Sequence, residues 1–181
     1  MYRVWLADCP WKDQDWAHGM SGTAADHYDM TIAQLCALPV KEHSESSAVL
    51  GFWVPVSMLY DSPGPIDVVR AWGYDYKTEI VWDTVFGHPG HYGLDVSHEV
   101  FWVCTRGACL PDVPLPHDHS VYRERRSREH SAKPMHFRRF LERHWPIGRR
   151  VELFASERHE GWAALGDDAR LWASESKEAA I

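Results

Sequence analysis

Four consecutive residues near the start of the chain combine a carboxylate, a proline and a large aromatic ring: Asp8-Cys9-Pro10-Trp11. They follow a short apolar run, residues 4–7, which predicts a buried strand ending here. The carboxylate can accept a hydrogen bond, Pro10 holds the Cys9 carbonyl in extended geometry, and the Trp11 ring can stack on a flat ring. Two acceptors beside a stacking surface suit the amine of a planar base. An ordinary strand exit with a core tryptophan is the alternative.

A second group of residues that could bind a ligand is His130-Ser131-Ala132-Lys133-Pro134, directly before a predicted helix. The free backbone N–H groups and the dipole at a helix N-terminus favour negative charge, and Lys133 adds a cation. A carboxylate or a phosphate would fit there. A capping segment with a solvated lysine has the same sequence, so the alternative stays open.

The net charge of −7 argues against a general polyanion-binding protein, but the charge is unevenly distributed. Residues 123–150 hold ten basic and three acidic residues, a surplus of +7, so the rest of the chain carries −14. A basic segment in an acidic protein indicates a contact for phosphate or carboxylate, or equally a solvated helix face. Within it, we predict that Arg125, Arg126 and Arg128 contact the phosphates of a polymeric substrate.

Apolar runs and helix signals alternate along the chain and predict an α/β sandwich with a largely parallel sheet. The predicted strands are 4–7, 48–54, 77–82, 100–105 and 150–155, and the predicted helices are 31–38, 66–72 and 134–145. Three stretches without a secondary-structure pattern, 12–28, 87–96 and 110–133, each follow a strand. Ligands lie at the carboxyl ends of strands in open α/β sheets, so these stretches are expected to form the rim of a site.

The length of 181 residues fits one domain over 1–172, followed by a tail at 173–181 that is expected to be flexible. Apolar stretches are too short to span a bilayer, and a secretory signal pattern is absent, which predicts a cytoplasmic protein. The four cysteines are far apart and are expected to be reduced thiols. No metal site is predicted, because the spacings match no metal motif at His88, His91, His117, His119 and the pair His98-Glu99.

Further short motifs accompany the two groups above, in an order that spans residues 4–168. In chain order the motifs are Asp8-Cys9-Pro10-Trp11, Tyr28-Asp29-Met30 with Ala37-Leu38-Pro39-Val40, Gly51-Phe52-Trp53-Val54, Trp72-Gly73-Tyr74 with Val81-Trp82, His98-Glu99 with Arg106-Gly107, His130-Ser131-Ala132-Lys133-Pro134, Glu152-Leu153-Phe154-Ala155, and Gly161 with Gly166. Together they resemble the adenine-N6 methyltransferase family typified by the messenger-RNA adenosine methyltransferase subunit and its bacterial and phage DNA relatives.

The resemblance implies a Rossmann-like class I methyltransferase sandwich in circularly permuted order, with the catalytic motif before the cofactor motif, and S-adenosylmethionine as the cofactor. It assigns the catalytic role to Asp8, Cys9, Pro10 and Trp11. It assigns cofactor binding to Asp8, His130, Ser131, Lys133, Phe154, Arg158, Asp167 and Asp168, and substrate binding to Trp11 and Tyr28. The chain departs from the family pattern at Cys9, Thr84 and Ser156, and Arg158 is expected to replace the arginine missing at Ser156.

The implied reaction is methylation of the exocyclic N6 amine of adenine. DNA, a short single strand or deoxyadenosine is favoured over RNA as the substrate, and no membrane partner is expected. A homo-oligomer or a partner subunit remains open. The alternative function is a catalytically silent, nucleic-acid-binding partner subunit of the same fold.

Overall fold

The computed structural model describes residues 1–12, 29–113, 118–127, 132–155 and 157–165. The strands are β1 (Tyr2–Ala7), β2 (Ser44–Val54), β3 (Asp75–Pro89), β4 (Asp95–Arg106), β5 (Val121–Arg123), β6 (Arg150–Leu153) and β7 (Trp162–Leu165). The α-helices are α1 (Ile32–Cys36), α2 (Val40–His43), α3 (Pro65–Ala71) and α4 (Met135–His144). Single 3₁₀ turns occupy Val56–Met58 and His91–Gly93.

The strands of the described chain form one sheet in the order β5-β3-β4-β2-β1-β6-β7. Strand β4 runs antiparallel to both of its neighbours, and the other four pairings are parallel. The carboxyl ends of all strands except β4 therefore meet at one edge, together with the start of β4. We call this the carboxyl edge; Asp8 follows β1 there and Phe154 follows β6. The prediction of an α/β class with a largely parallel sheet is confirmed.

Alternate residues of the central strands pack against helices on opposite faces of the sheet. Trp5 of β1 and Phe52 of β2 belong to a core with α1 and α3. Leu6 and Trp53, one position further along each strand, belong to a second core with α4. This alternation follows from the two-residue period of a strand, and it makes the molecule a three-layer sandwich.

Helix boundaries follow the chemistry that the sequence indicates. Thr31 and Gln34 form the capping box that starts α1: the Gln34 backbone N–H donates to the Thr31 hydroxyl, and the Thr31 N–H donates to the Gln34 side chain. Gly73 has a φ of 80° after α3, a conformation that glycine adopts without strain. The long helix predicted over 134–145 is α4.

Two sequence predictions about irregular regions are wrong, and the sequence predicts no strand at the position of β7. Residues 87–96 form a hairpin and not one irregular loop, because β3 continues to Pro89 and pairs with the start of β4 at Asp95. Residues 110–133 include β5, which pairs with β3. The chain after β6 forms a further strand, β7, beside β6. Glycine, histidine and proline give residues 87–96 the composition of a loop, and backbone pairing with a neighbour determines the strand structure of all three segments.

Among the described residues, none of the helices is long and apolar enough to cross a membrane.

Candidate active site

Asp8 lies at the carboxyl edge because β1 ends at Ala7, in the middle of the sheet. Its side chain is 36% exposed, so one face of the carboxylate is open to a ligand. Strand β2 lies beside β1, and β4 lies on the far side of β2. Strands are spaced about 4.8 Å apart, so Asp8 and a residue at the start of β4 are two strand spacings from each other.

Lys133 bridges that gap from the segment before α4. Its Nζ lies 3.1 Å from a carboxylate oxygen of Asp8 and 3.1 Å from one of Glu99, the residue of β4 next to Val100. The ammonium also lies 5.2 Å above the ring centroid of Trp53, which the intervening strand β2 presents at this level. Glu99 and Lys133 are largely buried, so this is a shielded ion-pair network and not a surface contact.

The network extends from Glu99 to Arg126. The Arg126 guanidinium donates to the Glu99 carboxylate oxygen that does not contact Lys133. The same guanidinium lies 5.1 Å from the Trp82 ring centroid. Trp82 pairs directly with Glu99 across β3 and β4. Each cation thus stands over a buried tryptophan and faces a carboxylate, and the four charged groups form an alternating row: Asp8, Lys133, Glu99 and Arg126.

The aromatic rings beneath this row support one another. Trp53 packs against Phe101 at 5.0 Å and Phe137 at 4.6 Å between ring centroids, both in inclined arrangements. Gly51 makes room for this packing, since a Cβ there would meet the Phe101 ring at 2.3 Å. A rigid aromatic floor limits the positions that the cations above it can take.

Although the Asp8 side chain is 36% exposed, the partial burial of its carboxyl raises its pKa above the usual value, and Lys133 acts in the opposite direction. Burial lowers the pKa of Lys133, but Asp8 and Glu99 raise it by more, and the net result is a raised pKa. Lys133 is therefore a permanent cation at neutral pH. Asp8 is harder to ionise than an exposed aspartate.

The segment after Asp8 is fixed by backbone hydrogen bonds. The Trp11 N–H donates to the Cys9 carbonyl at 3.0 Å, and the Met30 N–H donates to the Pro10 carbonyl at 2.7 Å. Burial raises the pKa of the Cys9 thiol well above its usual value, so the thiol stays protonated and is a poor nucleophile. The carbonyl of Cys9 retains a second lone pair for another donor.

The remaining predicted site residues that the structure describes are more dispersed. Trp11 is half-buried and meets Phe52 edge-on at 5.6 Å. Phe154 directly follows β6, has a φ of 60° and packs against the α1 and α3 core. Arg158 and Arg125 are exposed. Other predicted site residues lie outside the described residues: Tyr28, Arg128, His130, Ser131, Asp167 and Asp168.

Glu99 is a site residue that the chemical reading of the sequence missed. In the sequence, the pair His98-Glu99 is a short motif and a poor match to a metal site. Its sequence signal is an acidic residue directly before the buried run 100–105; in the structure Glu99 lies within β4, four residues after the strand begins. Recognising it required the direction of β4, which alone among the described strands begins at the carboxyl edge. No group of three or more potential metal ligands occurs within the described part of the chain.

The α/β sandwich with a polar site at the carboxyl edge has the fold class of Rossmann-like methyltransferases. The model of one protein family, MT-A70, matches residues 2–168. The chain therefore belongs to the MT-A70 family, and the predicted resemblance is confirmed. A curated relative, the Type II methyltransferase M.MunI of Mycoplasma sp, is 25% identical over 151 residues. That match covers 81% of this chain but only 61% of the relative.

Proposed function

We propose that this protein transfers a methyl group from S-adenosylmethionine to the exocyclic N6 amine of an adenine. The observation that carries the proposal is the pairing of Asp8, at the carboxyl end of β1, with Lys133 at 3.1 Å. At the rim of a methyltransferase-class sheet, the Asp8 carboxylate is an acceptor for the substrate amine and for the cofactor ammonium. The Lys133 ammonium is a donor for the cofactor carboxylate. Family membership and the name of the relative M.MunI agree with methyl transfer.

The charges of the site fit the amino-acid end of the cofactor. That end carries an ammonium and a carboxylate, and the site offers Asp8 to the first and Lys133 to the second. An ammonium has three donors, of which Lys133 directs one toward Asp8 and one toward Glu99, so a third remains for the cofactor carboxylate. Phe154, at the end of β6, is proposed to lie near the nucleoside end. When bound, S-adenosylmethionine supplies an electrophilic methyl group on a sulfonium.

The residues after β1 are proposed to prepare the substrate amine. The N6 lone pair of adenine is delocalised into the ring, which makes it a poor nucleophile. Asp8 and the Cys9 carbonyl would each accept one N–H, holding the nitrogen so that its lone pair turns out of the ring plane. The Trp11 N–H bond to the Cys9 carbonyl fixes the direction of that acceptor. Positioning of this kind can contribute about 7 kcal/mol or more.

The proton of the amine needs no strong base. Once the nitrogen carries a fourth substituent it is acidic, and the Asp8 carboxylate or water can accept its proton. A raised pKa makes Asp8 a better proton acceptor than an exposed aspartate, provided that it is ionised when the substrate binds. Adenine must reach this site unpaired, from a single strand, as a nucleoside, or after leaving a duplex stack.

Two measurements test the proposal. The protein is incubated with S-adenosylmethionine and with DNA, RNA or deoxyadenosine, and the nucleosides are analysed by mass spectrometry; N6-methyladenine in one of the three is the expected product. Calorimetry with S-adenosylmethionine is expected to show one site per chain. Methylation of cytosine instead, or no binding at millimolar cofactor, would contradict the proposal.

A further inference from the structure

The hairpin that joins β3 to β4 extends the sheet beyond the candidate active site. Trp82 pairs with Glu99 and Asp83 with His98, and the residues beyond these pairs, 84–97, form what we call the aromatic hairpin. Because Glu99 contacts Lys133 and Lys133 contacts Asp8, the aromatic hairpin begins next to the charged row. A substrate longer than one nucleoside, with its adenine at Asp8, has this hairpin within reach.

The aromatic hairpin exposes large apolar side chains that pack on little of the protein. Phe86 is 62% exposed, Leu94 is 71% exposed, and Tyr92 is fully exposed. Phe86 lies in the first part of the hairpin and Tyr92 at its end, and both flat rings add almost nothing to the core. Exposed apolar groups that are clustered in this way mark contact sites on soluble proteins.

The backbone of the aromatic hairpin contains a bulge that specific hydrogen bonds fix in place. Residues 84–87 of β3 stand opposite Ser97 alone, so the strand bulges there. Val85 in the bulge has a φ of 71°, which is costly for a β-branched residue. It is held by its N–H bond to the Asp83 carboxylate at 2.8 Å, and the Thr84 hydroxyl donates to the Phe86 carbonyl at 2.9 Å. Strain kept by specific bonds indicates that a function depends on the local geometry.

The end of the hairpin is a closed turn. Tyr92 and Gly93 both have positive φ values, 60° and 72°, as the two central residues of a type I′ turn do. The Gly90 N–H donates to the Leu94 carbonyl at 3.0 Å and closes the three-residue loop 91–93. Tyr92 therefore projects from a defined turn.

A cation accompanies the exposed rings. The guanidinium of Arg125, an exposed residue just after β5, lies 4.7 Å from the Phe86 ring centroid. Arg123 on β5 is also exposed, although it contacts Asp83 at 3.4 Å. Aromatic rings that stack on bases, next to arginines that contact phosphates, are the combination by which proteins hold unpaired nucleic-acid strands.

We infer that the aromatic hairpin is a binding surface for an unpaired nucleic-acid strand, with Phe86 and Tyr92 stacking on bases that flank the adenine at Asp8 and Arg125 contacting a phosphate. The inference rests on the proposed function for the position of the adenine. It goes further by assigning flanking-base contacts to residues 84–97.

Binding of a short fluorescein-labelled single-stranded DNA with one adenine, followed by fluorescence anisotropy, tests the inference. Stacking on an aromatic ring contributes enough that Phe86→Ala and Tyr92→Ala should each weaken binding by about 5-fold or more. Phe86→Trp, which keeps an aromatic ring, should bind the oligonucleotide as the parent does. Phe86→Leu, which keeps apolar area without the ring, should bind it as weakly as Phe86→Ala. Tyr76→Ala is the matched control, because Tyr76 is an exposed aromatic residue of β3 at the opposite edge of the sheet.

Three further readouts separate this inference from the proposed function. The hairpin variants should keep the parent affinity for S-adenosylmethionine and the parent kcat/KM on deoxyadenosine, while KM for the oligonucleotide rises. If the variants bind and methylate the oligonucleotide as the parent does, or if the parent does not bind it, the inference is wrong whatever the reaction on deoxyadenosine shows. If sedimentation shows that Phe86→Ala converts a dimer into a monomer, the hairpin is a protein interface and the inference is also overturned.

Discussion

Lys133 and Asp8 form a direct ion pair, with 3.1 Å between the lysine Nζ and a carboxylate oxygen. The two residues lie 125 positions apart in the sequence, where Asp8 is assigned to both the substrate amine and the cofactor and Lys133 to the cofactor alone. Because of this contact, each residue shifts the pKa of the other in favour of its charged form. A change at either residue is therefore expected to affect both cofactor binding and methyl transfer, to different degrees.

Removal of the Asp8 carboxylate should abolish methyl transfer with a smaller effect on cofactor affinity. Asp8→Ala removes one of two acceptors for the amine, and loss of such a group costs about 100-fold or more in turnover. Lys133 keeps Glu99 as a partner in this variant and remains available to a cofactor carboxylate. Single-turnover rates and calorimetry with S-adenosylmethionine measure the two effects separately.

Asp75→Asn serves as the control for Asp8→Ala, since Asp75 is an exposed acid at the start of β3, at the opposite edge of the sheet. It should behave as the parent does. Near-normal turnover by Asp8→Ala would show that the amine is oriented by other groups.

The fold could be predicted from the sequence where one segment carries its own signal. The capping box of Thr31 and Gln34, the apolar run in β2 and the amphipathic pattern of α4 are local, and each forms the expected element. Strands β5 and β7 are three and four residues long, too short to show a strand pattern of their own, so their pairing with β3 and β6 determines their structure. A single sequence does not display that pairing.

The sequence predicts several residues of the candidate site but only some of the contacts between them. Asp8 and Lys133 were recognised from short motifs, whereas Glu99 joins them through the direction of β4. The basic surplus of residues 123–150 does not show which of its cations are paired, and several of them contact acids outside the segment. The described pairs of this kind are Arg123 with Asp83, Arg126 and Lys133 with Glu99, Lys133 with Asp8, Arg138 with Glu152, and Arg143 with Asp118.

Replacement of Lys133 should move the acid limb of the pH–rate profile to higher pH. Methyl transfer requires ionised Asp8, so kcat/KM falls as the pH falls through the pKa of that carboxyl. Burial raises this pKa and Lys133 lowers it, so removal of the cation raises it further. Lys133→Met, which keeps much of the stem, should show the shift in addition to a weaker affinity for the cofactor. An unmoved acid limb would mean that a different group titrates.

Replacement of Glu99 should move the same limb in the opposite direction. The negative charge of Glu99 raises the pKa of Asp8. Arg126, which forms an ion pair with Glu99 in the parent, lowers the pKa of Asp8. Glu99→Gln therefore lowers the pKa of Asp8, and kcat/KM is retained to lower pH than in the parent. Glu42→Gln, at an exposed acid of α2, provides a matched control with no expected shift. Shifts of the same sign in Lys133→Met and Glu99→Gln would contradict the assignment of the limb to Asp8.

The last prediction concerns the ion pair that joins α4 to β6. Arg138 is a buried residue whose Nη2 lies 2.5 Å from a Glu152 carboxylate oxygen, and its guanidinium lies 5.9 Å from the Trp162 ring centroid. Removing one partner of a buried pair leaves the other charge uncompensated, so Arg138→Met should lower the free energy of unfolding by about 3 kcal/mol. Urea titration followed by tryptophan fluorescence measures this value.

Lys77 offers a comparison on the surface, since it contacts Asp75 at 3.7 Å with both side chains exposed. Exposed pairs contribute little, and Lys77→Met should lower the free energy of unfolding by about 1 kcal/mol at most. The double variant Arg138→Met with Glu152→Leu should regain part of the loss, because it removes the stranded carboxylate as well. Equal destabilisation by Arg138→Met and Lys77→Met would show that the Glu152 carboxylate reaches water once Arg138 is gone, and that β6 is held against α4 by apolar packing alone.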